Sequence, residues 1–167
     1  YTSTTAVERG LEIPRLFSSG PAAERDRVGR GSYLVNALSD CSNCHTDGAG
    51  DDGGFDGGTL PMSLDINTET YLAGGVNFAP FVGIFATPIF TRNLTPHGDN
   101  GLQLTEDEFI QALRFGADFS RPGGSLRIEP HFPAEFRMTL EDIKSIYAFL
   151  RIVPAIDKTV EIFELGG

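Results

Sequence analysis

Residues 41–45 read Cys-Ser-Asn-Cys-His, and they constrain the chain more than any other stretch. In a C-x-x-C-H run, two thiols on one turn can each form a thioether to one edge of a porphyrin. The histidine that follows then lies beneath the iron and supplies the proximal ligand. The sequence contains 2 Cys, both in this motif, so no disulfide can form elsewhere. A zinc site needs four ligands, and neither a second Cys pair nor an H-x₃₋₅-H run is present to complete one. A dithiol redox pair has no need of His45 and normally follows a strand in a thioredoxin-like pattern. The motif therefore reads as attachment of one covalent haem c through Cys41, Cys44 and His45.

Composition sets limits on what surrounds such a group. The chain has 167 residues, the length of one domain. Its 13 Phe can cover a large apolar cofactor. The net charge of −10 disfavours nucleic acid and anionic lipid, and favours a partner with a basic docking patch. No apolar run approaches the length of a membrane span. Haem attachment of this type is completed outside the bacterial cytoplasm, so the motif implies a periplasmic or otherwise exported protein.

Residues 1–21 read as an N-terminal arm or linker, 22–155 as a monohaem domain, and 156–167 as a C-terminal tail. Helical patterning runs from Ala22 to Asp40, with Val28, Tyr33, Leu34, Val35 and Leu38 apolar. Gly29 and Gly31 lower helix propensity there, and one of them is expected to admit a second backbone; a helix starting near Gly31 is the alternative. The Gly/Asp-rich stretch after the motif reads as a solvated surface loop. Asp47, Asp51, Asp52 and Asp56 have the oxygen chemistry for Ca²⁺, but their spacing matches neither an EF-hand nor an intact nonapeptide repeat. Phe78, Phe81, Phe85 and Phe90 lie among Gly and Pro in an expected ordered loop.

Two further helices carry clear start signals. Thr105 with Glu108 forms a capping box, Leu104 with Phe109 a hydrophobic staple, and Gly116 a left-handed stop. Thr139 with Asp142 repeats the box, with Met138 and Ile143 in the staple positions. That last helix carries Ile143, Ile146, Tyr147 and Leu150 on one side.

The stretch Arg30-Gly-Ser-Tyr-Leu-Val-Asn-Ala-Leu-Ser-Asp-Cys-Ser-Asn-Cys-His-Thr46 resembles the first haem segment of the cytochrome c subunits of bacterial membrane alcohol and gluconate dehydrogenases. So do Tyr71-Leu-Ala-Gly-Gly75, Asn93-Leu-Thr-Pro96, the helix before Gly116 and Met138–Leu150. The resemblance covers about residues 25–155. Those subunits carry several haems, whereas this chain has one motif and is similar to a single domain of them, a class I c-type cytochrome. The resemblance implies an all-α, cytochrome c-like fold: three main helices around one covalently bound haem, with long connecting loops. It implies that the Gly29/Gly31 region crosses Tyr147 and Leu150. It also makes Tyr33 a haem-contact candidate and gives Arg92 and Asn93 a role beside the propionates.

The sequence departs from that family at the sixth iron ligand. A Met-Pro-aromatic run is usual shortly before the last helix, yet residues 126–133 read Leu-Arg-Ile-Glu-Pro-His-Phe-Pro. His131 has the right place and chemistry and is the favoured distal ligand. Met138 is the alternative, although its staple position already gives it a structural task. Met62 and an empty sixth position remain open, and His97 reads as a surface turn residue. Electron transfer by a carrier, or by an electron-transfer subunit of a dehydrogenase or membrane oxidase complex, is the expected function. A haem enzyme or a sensor of peroxide, NO or CO with an open sixth site is the alternative. A purely structural module has nothing in its favour.

Overall fold

Glycine in the middle of a helix weakens it unless something must come close, and Gly31 shows what that is. The computed structural model describes residues 21–39, 41–47, 69–77, 90–117, 119 and 138–160. They divide into two units, one from residues up to Ser39 and Leu104–Val153, the other from Asp40–Gln103 and the residues after Val153. Among the described residues the regular elements are helices, and an isolated antiparallel bridge joins Asn77 to Phe90.

In the first unit, Pro21 opens helix α1 (Ala22–Tyr33). A proline suits that place because its fixed φ begins a helix and the missing N–H has no intrahelical partner there. The last turn widens into a π-helical segment, Leu34–Leu38, closed by the Ser39 N–H on the Leu34 carbonyl at 2.8 Å. Asn36 favours this widening: its amide donates to the Ser32 carbonyl at 2.8 Å and competes with the backbone for that acceptor.

Helices α3 (Glu106–Phe115) and α4 (Leu140–Leu150) complete the unit, the short helix α2 (Cys41–His45) belonging to the other. Both begin with the expected capping boxes, and Gly116 ends α3 with φ 65°. The buried core consists of Val28, Leu34, Val35, Phe109, Ile143, Ile146, Phe149, Leu150 and Val153. A Cβ on Gly31 would overlap the Ser145 carbonyl and approach Phe149 Cβ to 2.8 Å. The expected crossing of first and last helices is thus present, in a different register. Ser145 and Phe149, one turn apart, meet α1, whereas Tyr147 lies on the opposite side of α4. There it packs on Phe109 with ring centroids 5.4 Å apart and donates its hydroxyl to the Leu104 carbonyl at 2.8 Å. Helix α4 therefore buries a wider stripe than the four residues its pattern suggests, because it packs on two helices.

Asp142 joins the caps to the crossing. Its Oδ2 accepts from the Thr139 N–H at 3.0 Å, and its Oδ1 accepts from Arg30 Nε at 2.8 Å. Partial burial works against the charge, but the hydrogen bonds from Thr139 and Arg30 outweigh it and hold the carboxyl below its usual range.

The second unit contains α2 (Cys41–His45), two loop strands of chain around residues 69–77 and 90–103, and residues 154–160. The expected N-terminal arm, Phe78, Phe81, Phe85, and Asp51, Asp52 and Asp56 lie outside the described residues.

Gly31→Ala is expected to destabilise the protein at or above the upper end of the roughly 1–3 kcal/mol typical of overpacking, because the carbonyl it meets is backbone. Denaturant unfolding checks this. Asp142→Ala is expected to cost about 1 kcal/mol at neutral pH. The carboxylate's stabilisation is present above the unfolded value near 3.8 and is lost as pH falls through the depressed folded value. The difference from wild type should therefore shrink below about pH 4 in a pH series of melts.

Candidate cofactor-binding site

Helix α2 is a single turn, which brings Cys41, Cys44 and His45 close together. Both cysteines are thiols and partly exposed. The turn closes with the Thr46 N–H on the Ser42 carbonyl at 2.9 Å. His45 Nδ1 lies 2.7 Å from the Arg92 carbonyl. A carbonyl only accepts, so Nδ1 carries the proton and Nε2 keeps its lone pair. Burial pushes the His45 pKa down, partly opposed by this bond. The result is a neutral imidazole held in the tautomer a metal ligand needs.

Residues 69–77 wrap the end of this turn. The Gly74 N–H donates to the His45 carbonyl at 2.7 Å, and the Leu72 N–H donates to Thr46 Oγ1 at 3.1 Å. Thr70 Oγ1 donates to the Asp47 carbonyl at 2.6 Å. On its other side the same stretch meets residues 91–94. Leu94 N–H reaches the Leu72 carbonyl at 2.8 Å, and Gly75 N–H reaches Thr91 O at 2.8 Å. This double engagement requires left-handed backbone at Leu72 (φ 59°) and Gly74 (φ 70°). Leu72 tolerates it with a fully buried side chain, while a Cβ at Gly74 would overlap the Thr91 and Arg92 backbone.

Asn93 is buried, and its side chain is fully engaged. Oδ1 accepts from the Thr95 N–H at 2.9 Å and Oγ1 at 2.7 Å. The amide donates to the Ile156 carbonyl at 2.9 Å and to the Lys158 carbonyl at 3.3 Å. Both amide hydrogens therefore hold the segment after the last helix, leaving none to donate to a propionate. Arg92 contributes its carbonyl to His45. Lys158 Nζ donates to Asp47 Oδ2 and to the Gly74 carbonyl, both at 2.8 Å. Asp47 thus faces an ammonium. His97 lies at the turn expected for it, its Nδ1 accepting from Asn100 N–H at 3.2 Å.

The second unit therefore brings together Cys41, Cys44, His45, Arg92 and Asn93. Tyr33 and Met138 belong to the first unit, where Tyr33 ends α1 half-buried and Met138 directly precedes the Thr139 cap. His131 and Met62 lie outside the described residues. Sequence reasoning gives no role to Thr46, Leu72, Thr95 or Lys158: the first three lie inside stretches that carry the resemblance, and Lys158 lies in none of them. Among the described residues, no three His, Cys, Asp or Glu are gathered to hold a metal ion on their own.

No protein-family model matches the chain. It is 33% identical over 130 residues to the cytochrome subunit of fructose dehydrogenase from Gluconobacter japonicus, covering 77% of this chain and 22% of that protein. It is 29% identical over 170 residues to the gluconate 2-dehydrogenase cytochrome c subunit from Pantoea cypripedii, covering 95% and 33%. The cytochrome c subunit of a quinone alcohol dehydrogenase from Gluconacetobacter polyoxogenes is 28% identical over 130 residues, covering 77% and 22%. The chain is a relative of these dehydrogenase cytochrome c subunits. It spans between 22% and 33% of their lengths. The expected relationship and all-α architecture therefore stand. A haem c also fits the residues present: two thiols on one turn, then a neutral imidazole with Nε2 left to bind a metal.

Asn93→Ala is expected to destabilise the second unit by about 1–3 kcal/mol, because it strips partners from buried Thr95 and from two carbonyls. Unfolding melts together with faster amide exchange at Thr95 would show it.

Proposed function

We propose that the chain is a single-electron carrier holding one haem c through Cys41 and Cys44, with His45 as proximal ligand. The bond from His45 Nδ1 to the Arg92 carbonyl carries this reading, since it leaves Nε2 as the ligand atom and fixes the imidazole plane. When bound, the haem supplies one-electron chemistry at iron. The chain's residues hold the group, orient the ligand and set the local polarity that tunes it. The names of the relatives favour a dehydrogenase as redox partner, and the C-x-x-C-H motif favours a location in the periplasm or otherwise outside the cytoplasm. A net charge of −10 would steer a partner bearing a basic patch through a small, transient interface. Among the described residues, no helix is long and apolar enough to cross a membrane.

For the distal ligand we favour His131, on its position in a segment without methionine and on the affinity of imidazole for both iron states. Two imidazoles lower the potential relative to Met/His ligation, in which the thioether favours the ferrous form.

Visible and EPR spectra of the haem-loaded chain test this. One covalent haem per chain and a low-spin ferric signal without a methionine–iron band are expected, and His131→Ala should give a high-spin or water-ligated spectrum. A methionine band would move the ligand to Met138 or Met62. A high-spin wild-type spectrum would mean an open iron and replace the carrier reading with that of an enzyme or sensor.

A further inference from the structure

The residues after the last helix connect both supports of His45. Asn93, next to the Arg92 whose carbonyl orients the imidazole, is tied through its amide to the Ile156 and Lys158 carbonyls. Thr95 adds a second tie, its Oγ1 accepting from the Ile156 N–H at 3.1 Å. From the same segment, Lys158 Nζ reaches back to the other side of the histidine. It donates to the Gly74 carbonyl, and the Gly74 N–H donates to the His45 carbonyl. It also pairs with the carboxylate of Asp47, two residues beyond the ligand. The bonds therefore close on themselves: His45 carbonyl to Gly74, Gly74 to Lys158, Lys158 to Asp47, and Asp47 back along the chain through Thr46. A Cβ on Gly75 would strike Lys158 Nζ at 2.6 Å, so the bare backbone there makes room for the ammonium.

We propose that Lys158 is a positioning residue for the proximal histidine, latching the backbone of His45 to the segment that also anchors the Arg92–Asn93 strand. The inference rests on the haem reading above. An exposed ion pair contributes little to stability, but this ammonium is only partly exposed and makes charge-assisted bonds to two separate chain segments. Its effect falls on the freedom of one ligand. With the latch intact, His45 cannot retreat from a metal without breaking the Gly74 and Lys158 bonds together. Without it, residues 45–47 lose their direct tie to the segment after the last helix, and the histidine gains room to move.

The test uses nitric oxide on the reduced, haem-loaded chain. Nitric oxide weakens the iron bond opposite to it, so a poorly held proximal histidine leaves and the nitrosyl haem becomes five-coordinate, which EPR distinguishes from the six-coordinate form. Lys158→Met is expected to raise the five-coordinate fraction several-fold, and Lys158→Arg to stay near wild type. If Lys158→Met does not fold, Asp47→Asn removes one of the two latch partners and should raise that fraction as well. Unchanged coordination in the methionine variant, even with a lower unfolding midpoint, would reduce Lys158 to a structural role and overturn the positioning role alone. A wild-type chain that carries no covalent haem would overturn the haem reading and this inference with it.

Discussion

One hydrogen bond, from the imidazole of His45 to the main-chain carbonyl of Arg92, orients the motif's histidine within its unit. A histidine on a five-residue helical turn would otherwise be free to rotate and to choose its tautomer. The carbonyl removes both freedoms, because it can only accept and because backbone cannot swing away as a side chain can. Much of the surrounding loop structure serves to keep that carbonyl where it is. Residues 69–77 lie between the motif and the 90–95 strand and bond to both. Their left-handed backbone at Leu72 and Gly74 is what lets so short a stretch face two ways.

The first unit meets a different constraint, the close approach of two helices. Gly31 allows α1 to rest on the Ser145 carbonyl, and Asp142 ties the N-terminus of α4 to Arg30, the residue before Gly31 on α1. Two elements distant in sequence are thereby indexed to one another by a missing side chain and a charged bond. The third helix joins through Tyr147, which frees the opposite side of α4 for the crossing. The resemblance puts Tyr147 at the Gly31 crossing, and the helix pattern could not correct it, since period 3.6 marks an apolar stripe without saying which neighbour each part of it meets.

Asn93 shows how much of a residue's surroundings a resemblance leaves out. The motif that contains it marks a position close to the ligand, and the position is indeed adjacent to the carbonyl that orients His45. Its side chain, however, binds Thr95 and the carbonyls of residues 156 and 158. Residues 156–160 read as the start of a tail for a related reason: they have no periodicity and no cap, and Ile156 is held by partners more than 60 positions away. Local sequence carries no trace of such bonds.

What the amino-acid sequence determined by itself is whatever depends on neighbours within a turn or two. The C-x-x-C-H turn, both capping boxes and the Gly116 stop are of this kind, each a matter of side chain and backbone three or four residues apart. The tertiary structure alone decided which carbonyl orients His45, which face of α4 receives Gly31, and that Lys158 closes on Asp47. Each of these joins residues brought together by chain reversal, the first two through backbone carbonyls and the third through an ion pair, and no local run of residues encodes such a meeting.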